Sequence, residues 1–293
     1  ESWNLGSHKP FHERPVEHPY YLVPFTLEPG EQATLLVAMK GIGYADRIWI
    51  QQQHSFWASY HLKSLSDGLF LGAMSILSLI TLMLFIANRD RIFLYFAIII
   101  YGSLLYHLTR SGYGFELIWP NYANLSIRIL MFSVCLPMIG SVLFSMRFLQ
   151  LQANTRPWLY RLSIMFLVLL GITSMIGLLT PLQTSYSLVF ITSVAISIYF
   201  IIIWLHAANR AIRHDRRAQF FTVAWLLYLL PYLFSNIYNL TNVDSDIINF
   251  LENRNGELFF AMALLIALLF EVRKAESEKQ KAIAESKAKT QFL

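Results

Sequence analysis

The 293 residues are 56% hydrophobic and 14% charged, with a mean hydropathy of +0.47. That is more apolar material than a globular domain of this length buries, so a soluble enzyme is excluded and a bilayer is implied. The net charge of +5 and pI of about 9.2 come from Lys and Arg dispersed between apolar runs, with no basic stripe or nucleic-acid-binding motif, which excludes nucleic acid as a partner.

Residues 1–65 are the polar beginning of the chain. Segments 21–26, 33–39 and 47–52 are predicted strands, separated by Pro29-Gly30 and by 41–43. Three short strands cannot close a sandwich around a dry core, so this region is expected to be the C-terminal part of an all-β module whose other strands precede Glu1. His8, His12 and His18 lack metal-site spacing and acidic or Cys partners, and the expectation is a solvated segment. No metal site and no cofactor is expected.

From Gly68 onward, apolar runs dominate. A bilayer core of roughly 30 Å takes about 20 helical residues. Seven predicted spans follow, at 68–87, 92–108, 125–148, 162–179, 187–206, 220–238 and 258–272. Gly68 and Gly72 form a Gly-x-x-x-Gly pair for which internal packing is the expectation. Pro137 and Pro231 are expected to kink their helices. The lone Cys135 sits in an apolar run, where inert packing is expected and an intrachain disulfide is impossible.

Orientation follows from the loops. Arg89, Arg91, Arg147, Arg156, Arg161, Arg210, Arg213, Arg216, Arg217, Arg273 and Lys274 fall on one side, against Arg110, Arg128 and Arg254 on the other. The richer side is cytoplasmic by the positive-inside rule, which puts residues 1–65 outside and 273–293 inside. His107, Arg110, Glu116, Arg128 and Glu257 then lie near the outer face, where they either line a polar ligand pocket or make interfacial water contacts. After Val272 the composition turns to Lys, Glu, Ala, Ser and Gln, and Glu271 with Lys274 and Glu285 with Lys289 have helix-stabilising spacings. A helix is expected to continue out of the membrane. Val272, Ala275, Lys279, Ala282, Ser286, Lys289 and Leu293 form a weak heptad, read as a dimer linker through Val272, Ala275 and Ala282, with a plain solvated helix as the alternative.

Gly68 and Gly72, the Arg89-Asp90-Arg91 loop, Tyr95, Tyr101 and Tyr106, and Gly112-Tyr113-Gly114-Phe115 running on to Leu117 and Trp119-Pro120 carry a specific resemblance. Together, over 68–121, they resemble the opening of the bacterial seven-transmembrane receptors with diverse intracellular signalling modules. One departure is Leu84-Phe85-Ile86-Ala87-Asn88, where the family leads one to expect an aromatic before the Asn. The stretch from Pro24 through Glu31 is similar to the last part of that family's extracellular jelly-roll domain, a fold that resembles carbohydrate-binding modules. The resemblance implies a carbohydrate ligand only by analogy of fold. The ending Lys287-Ala288-Lys289-Thr290-Gln291-Phe292-Leu293 resembles the residues just before the phosphoacceptor motif of sensor histidine kinases.

Rival seven-helix classes fare worse. The 258–272 run has no Lys for a retinal Schiff base, and the third span ends Ser145-Met146-Arg147-Phe148 with one cysteine in the chain, unlike a G-protein-coupled receptor. A transporter is expected to carry paired midplane charges and broken helices.

The expected fold class is an all-α membrane protein. It comprises a partial extracellular β-sandwich, jelly-roll-like, at 1–65, a seven-transmembrane helix bundle at 66–272, and a cytoplasmic signalling helix at 273–293 leading to an output domain. The expected location is the bacterial inner membrane, multi-pass and in contact with lipid. The resemblance implies the sensor part of a two-component sensor histidine kinase, a homodimer through the cytoplasmic helix, with a response regulator as partner of the output domain. A diguanylate cyclase output is the competing reading and a transporter the lesser one. No catalytic residue is expected in the chain, because 273–293 hold no His and the cytoplasmic segments no Gly-rich phosphate loop.

Overall fold

A computed structural model describes residues 2–6, 9–38, 48–180, 182–241 and 253–291, with the side chains at 182–184, 231–241, 253–255, 275, 278–279 and 286–291 left aside. Its helices, in chain order, are α1 (Gln53–Asn88), α2 (Arg91–Arg110), the short α3 (Tyr113–Leu117), α4 (Ala123–Phe148), α5 (Pro157–Leu179), α6 (Leu182–Ile212), α7 (Arg216–Thr241) and α8 (Asn253–Gln291). Among the described residues, α1, α2, α4, α5 and the Ser185–Ile212 part of α6 are long and apolar enough to cross a membrane. The predicted runs 220–238 and 258–272 fall inside α7 and α8.

The strands predicted at 21–26, 33–39 and 47–52 do not appear in the described parts of those segments. No strand occurs among the described residues: 21–26, 33–38 and 48–52 have no regular secondary structure, while 39–47 lie outside the described residues. Leu36 is 96% exposed and Trp49 68%. An alternating pattern makes a strand only where a neighbouring backbone completes the ladder, and these segments have none in the described chain.

Helix ends follow local chemistry. Arg89 takes the left-handed conformation (φ 53°) and donates its N–H to the Phe85 carbonyl at 2.8 Å, closing α1. Asp90 then caps α2 by accepting from the Ile92 N–H at 3.0 Å. Two residues therefore turn the chain between two spans. Pro157 opens α5, where its missing N–H costs nothing.

The chain divides into two compact units, Glu1–Tyr199 and Phe200–Leu293. In the first, α2 packs on α1 and on α4, and α4 packs on α5. The α2–α4 approach is close: a Cβ at Gly102 would lie 2.7 Å from Pro137 Cδ, and one at Gly140 would lie 2.9 Å from the Ile99 backbone nitrogen. Gly68 and Gly72 were the expected packing pair, yet a Cβ at either meets nothing within 4 Å. The face of α1 that carries them does not meet its bundle neighbours, so the close-packing glycines are on α2 and α4.

Small hydroxyls line the interior of this unit. Those of Ser78, Thr81, Ser133 and Ser145 return to carbonyls three or four residues back in their own helices. Two pairs reach across from α5 to α6, Ser163 with Tyr199 at 2.9 Å and Thr173 with Thr192 at 3.0 Å. Meanwhile Leu69, Met83 and Ile86 of α1 and Ile172 and Met175 of α5 are exposed. A polar-speckled interior under an apolar exterior suits a hydrocarbon solvent. In the second unit α7 packs along α8, with Trp225 against Phe260 at 5.3 Å and Phe220 stacked on Phe270 at 6.0 Å.

Candidate functional site

At 1.5 Å per residue the 36 residues of α1 run for about 54 Å, well over the roughly 30 Å of a hydrocarbon core. Its first turns carry Phe56, Trp57, Tyr60 and His61, an aromatic belt ahead of the apolar run. Segment 10–21 docks against these turns and against α3.

The docking starts at Phe11, 6% exposed, in a single 3-10 turn at Phe11–Glu13. Its N–H donates to the Pro120 carbonyl at 3.0 Å, and its ring meets Phe115 edge-on at 5.8 Å within a cluster that includes Trp119 and Ala123. Gly112 has φ 86°, and a Cβ there would sit 3.1 Å from Pro19. Both the backbone conformation and the close approach call for glycine. Tyr113 donates its hydroxyl to Ser64 Oγ at 3.3 Å, tying α3 to α1.

Arg14 is the polar hub of the joint. Its Nη1 donates to the carbonyls of His18 at 2.6 Å and Pro19 at 3.0 Å. Its guanidinium stands 4.8 Å from the Phe11 ring centre, 4.4 Å from Tyr21 and 5.3 Å from Phe115, cation–π distances that reward partial burial. Burial lowers the Arg14 pKa, with Tyr21 and Glu116 opposing it. The Glu116 carboxyl is raised by burial and pulled back by Arg14.

His18 contradicts the solvated segment expected for it, being 3% exposed. Its ring lies 4.2 Å from Tyr60, 5.2 Å from Tyr20, 5.5 Å from Phe56 and 5.7 Å from Trp57. Nδ1 accepts the Tyr20 N–H at 2.9 Å, and Nε2 has no hydrogen-bond partner. His12 is exposed, His8 lies outside the described residues, and no metal-holding group of His, Cys, Asp and Glu occurs among the described residues.

Of the five polar residues expected near one face, the four in the first unit, His107, Arg110, Glu116 and Arg128, do not converge on one site. Glu116 alone joins the Arg14 hub. His107 packs edge-on to Phe70 at 4.8 Å, and Arg110 donates to the Tyr106 hydroxyl at 3.2 Å. Arg128 donates to the Leu178 carbonyl at 2.9 Å, capping the end of α5. Glu257 belongs to the second unit.

A second locus lies where α7 begins. Asp215 caps α7, accepting N–H groups from Arg217 at 3.1 Å and Ala218 at 3.4 Å, and it holds Arg210 Nε at 2.9 Å. Burial works to raise its carboxyl, but these bonds, Arg210 first, win and hold it below the usual range. Arg217 reaches across to Glu271 of α8. In the linker, Val272 is half-buried and Ala282 exposed, while the Ala275 side chain lies outside the described residues.

Phe11, Arg14, Trp57 and Tyr60 were not singled out from sequence. The one signal was the clustering of Phe56, Trp57 and Tyr60 just ahead of a span.

These features define a multi-pass helical membrane protein with an N-terminal segment seated on one end of its first unit. Residues 63–271 match the family described as 7TM diverse intracellular signalling, and residues 1–46 match the one described as 7TMR-DISM extracellular 2. The first match spans most of the chain, which therefore belongs to the 7TM diverse intracellular signalling family and is a transmembrane signalling receptor. No curated protein and no solved structure matches it.

Proposed function

We propose that the chain is the sensing and signal-transmitting part of a bacterial sensor histidine kinase in the inner membrane. Seven spans place residues 1–65 in the periplasm and the end of α8 in the cytoplasm. The joint of Phe11, Arg14 and His18 with α1 and α3 receives the movement of a periplasmic module. The module's ligand is a carbohydrate, by analogy of fold alone. Two copies pair through α8 at Val272, Ala275 and Ala282, passing the change to a kinase module and from there to a response regulator.

The observation that carries this reading is the continuity of α8, a single helix over Asn253–Gln291. Its 39 residues run for about 58 Å, enough to cross a hydrocarbon core and project beyond it. A rigid helix shared by a span and a tail transmits rotation or shift without a flexible break. The surplus of Lys and Arg in the loops after α1, α4 and α6 supports the orientation.

Radioactive ATP supplied to the natural protein tests it. Phosphate is expected on a histidine of a helix continuing α8, and none within residues 1–293. Label inside 1–293, or a natural protein that makes cyclic diguanylate and takes no label, ends the kinase reading.

A further inference from the structure

The described histidines of the N-terminal region divide sharply: His12, His54 and His61 are exposed and His18 is buried among four rings. A neutral imidazole has one N–H donor and one acceptor nitrogen. Because Nδ1 accepts the Tyr20 N–H, the proton of the docked ring is on Nε2. Protonation would place a hydrogen on Nδ1 facing the Tyr20 N–H, turning a hydrogen bond into two opposed donors.

We propose that His18 is a proton-operated latch, whose protonation releases residues 10–21 from α1 and α3. This deepens the function proposed above and rests on it, since the latch then sets how firmly the periplasmic segment grips the membrane helices.

The surroundings favour the neutral ring. From its own segment, Arg14 donates to the His18 carbonyl and Tyr20 flanks the imidazole. From α1 come Tyr60 in contact, His61 packed on Trp57 and Tyr60, and Lys63, whose Nζ stands 5.1 Å over the Tyr20 ring. From α3, the charge of Glu116 acts on Arg14 and on Tyr60. A cation at His18 would thus arise beside one cation and near a second. Ring faces offer it some cation–π attraction, against the loss of hydration and of the Tyr20 bond.

Burial first, with the charge of Arg14 adding to it and the two together outweighing an upward pull from the Tyr20 backbone, holds the imidazole below the ordinary histidine range. The sign follows from linkage. Docking is at full strength above the free-histidine pKa of about 6.5 and weakens as pH falls through that value toward the docked pKa. The loss is about tenfold in the docking equilibrium for each unit separating the two.

The test is hydrogen–deuterium exchange of the natural protein in lipid nanodiscs, at about pH 8 and about pH 5, with rates corrected for intrinsic exchange. Protection of the peptide covering residues 10–21 should fall severalfold in acid. In His18→Asn the Oδ1 takes the place of Nδ1 as acceptor and cannot titrate, so protection should be the same at both pH values. His18→Phe, which fills the ring cage without a titratable group, should also lose its pH dependence even if its baseline protection differs. Equal wild-type protection at both pH values, or an undiminished acid loss in both variants, would overturn the latch. Acid release without any change in autophosphorylation would support the latch and sink the coupling reading instead.

Discussion

The guanidinium of Arg217, at the start of α7, grips Glu271 of α8 with two nitrogens on one oxygen, Nε at 2.8 Å and Nη2 at 2.7 Å from Oε2. The partners are 54 positions apart, and Glu271 immediately precedes the first residue of the linker seam, Val272. The pair therefore fixes the rotation of α8 at the point where its apolar run ends.

Arg217→Ala and Glu271→Ala should each loosen α7 from α8. Because both side chains keep some exposure, the coupling energy from a double-mutant cycle on thermal unfolding in detergent is expected at about 1 kcal/mol. Arg217→Lys should recover little of it, since an ammonium cannot reproduce the two-nitrogen grip. A coupling energy of zero would mean the pair does not hold the helices together.

Gly102→Val and Gly140→Val should be poorly tolerated, because the added carbons would run into Pro137 and the Ile99 backbone. Overpacking of this kind costs about 1–3 kcal/mol or more. Gly68→Ala and Gly72→Ala meet open space and gain helix propensity worth up to about 1 kcal/mol. Unfolding temperatures of the four variants should split two against two.

Ser163 donates its own hydroxyl hydrogen to the Leu159 carbonyl at 2.8 Å, so in the bond to Ser163 Oγ it is Tyr199 that donates. Tyr199→Phe then removes one interhelical hydrogen bond while leaving Ser163 satisfied. A loss of about 0.6 kcal/mol is expected, the average for such bonds between membrane helices. Ser163→Ala should cost a similar amount, because it removes the same bond from the α5 side of the pair.

For the proposed dimer, cysteine is placed at Ala282 in a Cys135→Ser background. Disulfide trapping in native membranes should join two copies through this position. Cysteine at Ala284, about 200° further round the helix by the 100° per residue of α geometry, should crosslink much less. Equal trapping at both would indicate a solvated tail without a seam.

The proposed orientation has a direct reading. A reporter enzyme active only in the periplasm should work when fused ahead of residue 1 and stay silent when inserted at Arg213. Activity at Arg213 would reverse the topology.

Hydropathy and punctuation are local quantities, and the sequence by itself determined what depends on them. The membrane class follows from the lengths of the apolar runs, and the continuation of α8 beyond Val272 from charge spacing alone. The turn at Arg89 and Asp90 was legible as a motif, and its reason is a left-handed residue followed by a helix cap. Tertiary structure decided which faces meet, because that depends on residues tens of positions apart. Gly68 and Gly72 carry the better packing motif, yet Gly102 and Gly140 make the close approach, since α2 lies between α1 and α4. His18 has nothing in its own neighbourhood to distinguish it from His12. It is buried only because the aromatic belt opening α1 is brought against it. The alternating segments at 21–26 and 33–38 show the converse, since an alternating pattern sets a face for a strand but cannot supply the backbone it must pair with.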